Sequence, residues 1–163
     1  MDKIKFGTDG WRAIIAKEFT VENVARVSEA TGLWLQKNYE NPTVFVGHDC
    51  RFAGELFMET SVKVFLKMGL NVRMSRGFVS TPMVSLAAHR FKCQIGVVLT
   101  ASHNPPSYNG YKLKADFDLE RPQMVAELLN QCATLQVEAR EKGHLHIALG
   151  AINTAARLAQ IVS

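Results

Sequence analysis

Very little in this sequence could cross-link the chain, cross a membrane or grip a polyanion. Its 163 residues include three cysteines, Cys50, Cys93 and Cys132, odd in number and without a CxxC spacing. That excludes a disulfide framework and leads to the expectation of reduced thiols in a cytoplasmic protein. No apolar run approaches the roughly 20 residues of a membrane-spanning helix, and the opening MDKIKFGTDG has no apolar leader segment. The 19 basic residues exceed the 15 acidic ones by only four. They are scattered, as Lys3, Lys5, Arg12 and Lys17, then Lys63, Lys67, Arg73 and Arg76, with no dense basic run interleaved with aromatics. No nucleic-acid or membrane partner is therefore expected, and an anionic small molecule suits the mild excess better. GxGxxG, Walker and GxSxG patterns are missing, which argues against a dinucleotide, a nucleoside triphosphate and a hydrolase elbow. There is no internal repeat and no low-complexity segment.

What the chain does have is a core's worth of apolar residues, 47% of the total, and a period that switches between two and 3.6. Lys3–Phe6 and Arg12–Ile15 are short strands around the Gly7–Gly10 turn. Thr20 is placed to cap a helix running to about Asn38, and Asn41-Pro42 breaks the chain before a buried strand at 43–47. A second helix over 53–68 stops at Gly69, followed by a strand at Leu70–Met74. A short helix with Pro82 in its first turn spans Thr81–His89. Gln94–Leu99 and Gly110–Ala115 are the next strands, and a long helix is expected from Arg121-Pro122 to about Glu141. Strands alternating with helices imply an α/β fold, a three-layer α/β/α sandwich around a mostly parallel (mixed) sheet. One domain is expected over residues 1–140. The tail, 141–163, reads as a strand and a helix. In such sheets ligands sit at the carboxyl ends of strands, and three polar loops, after Phe6, Val46 and Leu99, are expected to converge there.

The third loop, TASHNPPSYNG at 100–110, is the most unusual stretch. A buried strand ends abruptly, Ser102 and His103 follow, and Pro105-Pro106 stiffen the turn. On composition alone two readings stand: a plain Ser/Asn/Pro turn, or a hydroxyl presented to a ligand. Adjacent Ser102 and His103 are not a hydrolase pair, because neighbours in an extended loop point apart and a triad base needs a third group to orient it. His144 and His146 share a strand face but are too few for zinc. Asp116 and Asp118 read as solvated loop residues rather than magnesium ligands.

Three segments, FGTDGWR at 6–12, VGHDCR at 46–51 and TASHNPPSYNGYK at 100–112, occur in an order and spacing that resemble the first domain of the α-D-phosphohexomutases, the phosphoglucomutase/phosphomannomutase family. The resemblance covers roughly residues 1–140. It implies that Ser102 carries a phosphoryl group between hexose 1-phosphate and hexose 6-phosphate through a sugar bisphosphate. It also implies catalytic and substrate-binding roles for Arg12 and Lys112, and makes His103 a candidate proton partner or phosphate donor. Arg12 suits a phosphate because its planar fork matches the anion's oxygens. Lys112 is a candidate general acid/base whose larger contribution is charge stabilisation. Asp49, Arg51, Thr100 and Asn104 are expected to support the serine loop without touching substrate. The family's Mg2+ would meet this chain only through the Ser102 phosphate, and glucose 1,6-bisphosphate is the expected activator and intermediate. Expected partners are hexose phosphates and the remaining domains of a mutase, whose metal-binding and sugar-binding loops this sequence lacks. The chain by itself is therefore expected to be inactive, and a non-catalytic sugar-phosphate-binding module is the alternative.

Overall fold

The structure, a computed structural model, describes residues 10–115 together with Ile4, Phe6 and Gly7. The chain runs β1 (Phe6–Gly7), β2 (Gly10–Ile14), α1 (Val21–Asn38), β3 (Thr43–His48), α2 (Gly54–Lys67), β4 (Asn71–Phe78), α3 (Thr81–Arg90), β5 (Ile95–Leu99) and β6 (Tyr108–Ala115). The six strands form one mixed sheet in the order β1-β2-β6-β5-β3-β4. β5, β3 and β4 are mutually parallel, whereas β1, β2 and β6 join by antiparallel pairing, as does β6 to β5. The expected helix from Arg121, the boundary near residue 140, the tail, and the residues Asp116, Asp118, His144 and His146 lie outside the described residues.

Local signals explain the helix limits. The Thr20 hydroxyl accepts the Asn23 N–H at 3.2 Å and opens α1, satisfying one of the orphan donors of its first turn. Ser80 does the same for α3 through Met83 N–H at 3.4 Å, with Pro82 in the first turn where its missing N–H costs nothing. Gly69, at φ +80°, turns the chain out of α2 into β4.

Alternation along the strands divides the core into two layers. Val44, Val46, Ile95, Val97, Leu99, Trp11, Tyr111 and Leu113 face α1 and α2 in one large cluster. Its aromatic centre is Phe19, stacked on Trp11 at 4.4 Å and edge-on to Phe57 at 4.8 Å. Phe45 and Val98 face the other way, onto Val84 and Ala88 of α3. Gly96 lets α3 come close, since a Cβ there would lie 2.9 Å from Val84 Cγ1. Two strands run longer than the sequence pattern indicates. β4 continues to Phe78 because a register irregularity in β3 between Val46 and His48 restores pairing at His48–Phe78. β6 starts at Tyr108 rather than Gly110 because Ile14 of β2 is there to pair with it.

Tyr111 occupies an unusual place in the larger core layer. Its hydroxyl is sealed from water and makes no hydrogen bond of full geometry. It faces the hydroxyls of Ser28, Thr31 and Ser61, which already donate to helix carbonyls at 2.9, 2.8 and 3.1 Å. Burial pushes its pKa up to about 12, against a smaller lowering by those three hydroxyls.

Two predictions arise from this packing. In the unfolded chain tyrosine ionises near pH 10, and in the folded chain Tyr111 does so near 12. The folded state therefore keeps its full stability below pH 10 and loses it as pH rises toward 12, by about 2–3 kcal/mol from this group. Urea unfolding of wild type and Tyr111→Phe should agree within about 1 kcal/mol at pH 8, and the wild type should lose more than the variant by pH 11.5. At Gly110, a Cβ would meet Thr100 O at 2.5 Å and Trp11 O at 2.9 Å, both main chain. Gly110→Ala should cost roughly 1–3 kcal/mol in the same measurement, because neither strand can move aside alone.

Candidate active site

β5 ends at Leu99, and the chain doubles back through residues 100–107 into β6. Thr100 N–H donates to Gly110 O at 2.9 Å, closing the ladder beneath the loop. Asn104 N–H to Ala101 O (3.1 Å) and Tyr108 N–H to Pro105 O (3.0 Å) form two successive turns, and Ile15 N–H donates to Ser107 O at 2.8 Å from the neighbouring strand. Ser102 and His103 are exposed at the crest. Ser102 has φ +57°, in the left-handed region, where a residue other than glycine costs on the order of 1–3 kcal/mol.

The loop after β3 holds this turn from behind. Arg51 Nη1 donates to Pro105 O at 2.8 Å and Tyr108 O at 2.9 Å, while Nη2 donates to Ser102 O at 2.9 Å and Asn104 O at 2.6 Å. A guanidinium has five N–H groups; four are occupied by these carbonyls, and Nε lies 3.5 Å from Asp49 Oδ2. Arg51 is thus turned wholly inward. Asp49 Oδ1 accepts Arg51 N–H at 3.0 Å, and its Oδ2 accepts the Thr100 hydroxyl in a short hydrogen bond. Thr100 Oγ1 in turn accepts Ser102 N–H at 3.0 Å.

Arg12 approaches from β2, level with Gly110, and its Nη1 donates to Asn104 Oδ1 at 3.3 Å. The Asn104 side chain therefore meets Arg12 across the loop. Lys112 pairs with Val98 on one side and Gly10 on the other. Since Val98 packs toward α3, Lys112 and Arg12, two positions along, lie on that same sheet face. Lys112 is buried. Of the three loops expected at the carboxyl edge, those after β3 and β5 are there. β1 does not lead there: Gly7 pairs with Gly10, level with Val98, so the strand runs away from that edge. The opposite end of the same hairpin brings Arg12 to the loop.

Residues 3–138 match the family model for phosphoglucomutase/phosphomannomutase, alpha/beta/alpha domain I. The chain belongs to this family. The phosphoglucomutase/phosphomannomutase of Thermococcus kodakarensis is 39% identical over 109 residues, covering 66% of this chain and 24% of that protein. A phosphoglucosamine mutase of Clostridium acetobutylicum is 38% identical over 107 residues, with the same coverages. A provisionally assigned phosphomannomutase from Thermus thermophilus, 42% identical, superposes with a TM-score of 0.68 over 70% of this chain and 26% of its own. The chain spans about a quarter of the length of these relatives.

Within this domain I, two further buried polar residues, not among the expected supporting ones, brace the loops that meet at Ser102. His48, buried at the end of β3, has Nδ1 2.9 Å from Asp49 O, so Nδ1 carries the hydrogen, and its ring meets Phe78 edge-on at 5.5 Å. Asn109 is buried, accepting Gly110 N–H at 2.8 Å and donating to Phe52 O at 3.4 Å. His48 lies inside VGHDCR, where alternation along β3 could have flagged a buried polar group; no spacing signals Asn109.

An exposed serine on a loop that Arg12 reaches through Asn104, with Lys112 on the same sheet face as Arg12, should bind a small dianion. A millimolar dissociation constant would give about 1.4 kcal/mol at 10 mM phosphate, a melting-temperature rise of roughly 3–6 °C. Ser102→Asp and Arg12→Met should each reduce that rise at matched ionic strength. No rise in the wild type would count against a preformed anion site.

Proposed function

We propose that this chain is the nucleophile-bearing domain of a phosphohexomutase, with Ser102 as the phosphoryl carrier. One observation carries the reading: an exposed hydroxyl is held in a left-handed turn whose carbonyls are drawn to the rear by Arg51. Phosphoryl transfer depends on position and on charge stabilisation more than on covalent help, and this loop supplies position. Hexose phosphates are the substrate class, following the names of the mutases that the chain resembles.

In the forward half-reaction the phosphorus–Oγ bond of phosphorylated Ser102 breaks as a sugar hydroxyl bonds to phosphorus, giving a sugar bisphosphate such as glucose 1,6-bisphosphate. The sugar's proton leaves to a base as Oγ takes one up, and phosphoserine is regenerated when the bisphosphate, turned end for end, returns its other phosphoryl group to Ser102, whose proton passes to the released sugar oxygen. Arg12 stabilises the phosphoryl oxygens. Lys112 supplies positive charge on the same sheet face and, with His103, is the candidate to exchange the proton. Magnesium would supply Lewis-acid stabilisation of the transferring oxygens. The described residues fit it poorly, since they contain no group of three or more His, Cys, Asp or Glu and Asp49 is engaged by Thr100 and Arg51. The Ser102 phosphate is the single ligand the described residues would offer. Among the described residues no helix is long and apolar enough to cross a membrane, and Cys50 and Cys93 are free thiols, which suits a cytoplasmic enzyme.

A single transfer from a bisphosphate needs one orientation of the sugar, whereas turnover needs two. The 163-residue chain should therefore accept label slowly at Ser102 from phosphate-labelled glucose 1,6-bisphosphate with Mg2+, and Ser102→Ala should not. In a coupled assay it should fall far below a typical enzyme's ~10 s⁻¹, because orientation accounts for roughly 7–11 kcal/mol of barrier reduction. Phosphate binding without labelling would instead support a binding module, and turnover within tenfold of that rate would overturn the inactive-domain reading.

A further inference from the structure

Ser102, Thr100, Asp49 and Arg51 form a closed ring of three hydrogen bonds and one ion pair. Ser102 N–H donates to Thr100 Oγ1 at 3.0 Å, Thr100 donates to Asp49 Oδ2, and Asp49 Oδ2 faces Arg51 Nε at 3.5 Å. Arg51 Nη2 then donates to Ser102 O at 2.9 Å. The proton order around it is determined. Thr100 Oγ1 accepts from the amide, so its own hydrogen must go elsewhere, and an ionised carboxylate is acceptor only. Both polar ends of Ser102's main chain are thereby directed back to one carboxylate, while its side chain is exposed.

We propose that Thr100, Asp49 and Arg51 act as a single clamp whose contribution to transfer is the left-handed backbone of Ser102, not a contact with substrate. This deepens, and rests on, the reading of Ser102 as the phosphoryl carrier. A serine at φ +57° persists only where its surroundings over-determine it. Here N–H and C=O are held independently, and relaxation to the ordinary region would turn at least one from its partner. The same torsion fixes where Oγ stands. The Arg51 side chain spends its donors on four main-chain carbonyls and on Asp49, so its positive charge serves the loop and leaves the dianion to Arg12. The three residues are positioning residues that act through Ser102.

The test compares wild type, Thr100→Val, Arg51→Lys, their double variant and Thr100→Ser, all in the 163-residue chain. NMR couplings and carbon shifts report the Ser102 torsion, amide exchange reports its N–H, and thermal melting reports the fold. Labelling from glucose 1,6-bisphosphate, in which Oγ–P forms as the sugar O–P bond breaks and the serine proton passes to the sugar oxygen, reports transfer. Thr100→Val and Arg51→Lys should each abolish the left-handed signature and slow labelling by about tenfold or more. Ser102 amide exchange should quicken roughly tenfold in Thr100→Val, the scale of one lost hydrogen bond. The double variant should be little worse than either single one, as members of one ring are not additive, and Thr100→Ser should restore the torsion. Retention of the left-handed torsion in both single variants would overturn the clamp. Loss of the torsion with unchanged labelling would overturn its role in transfer. If wild type takes no label, the phosphoryl-carrier reading fails and the clamp is decided by torsion and exchange alone.

Discussion

One guanidinium on four carbonyls organises this end of the molecule. A proline-stiffened turn between two central strands exposes main-chain oxygens that no ladder can use, and buried ones are costly if unmatched. Arg51 gathers those of Ser102, Asn104, Pro105 and Tyr108 around a single planar group. Lysine could not substitute, being a point charge with three donors rather than a rigid fork. Asp49 offsets the charge and links the fork to Thr100, so the turn becomes part of the sheet's framework rather than an appendage.

The sheet places these parts by mixing its two pairings. Its parallel half sets the ends of β3 and β5 side by side, and Asp49 N–H bonds Leu99 O at 3.1 Å. That contact brings the Asp49–Arg51 loop beneath the serine loop. The antiparallel half returns the chain through β6 and lays β2 beside it, which is how Arg12 reaches Asn104. The two halves supply different things: parallel strands a support, antiparallel strands the cations.

Much of this was legible. The helical period from Val21 to Asn38, the hydroxyl at Thr20 and the stop at Gly69 are local signals, and the structure has an element edge at each. The Asp-x-Arg spacing suggests an internal pair, but its four carbonyls lie 51 to 57 residues further on, beyond any local pattern. Direction was also hidden. Nothing in FGTDGWR tells that β1 runs away from the serine loop, because that depends on β2 pairing with β6. The end of β4 was obscured for another reason: among the described residues Arg76-Gly77 has no second neighbouring strand to impose alternation.

Because β5 and β6 are antiparallel neighbours, Ser102 and Lys112 belong to one hairpin, with Leu99 paired to Tyr111 and Val98 to Lys112. Their separation is set by a ladder of main-chain bonds rather than by the packing of distant parts. The hairpin ties Ser102 to Lys112, and β2, laced to the same strand, ties Arg12 to both. Any rocking of this domain against a neighbour would carry the three together. On the proposed function, a sugar phosphate turned between transfers would do its turning against a fixed reference frame, and the freedom would belong to the ligand.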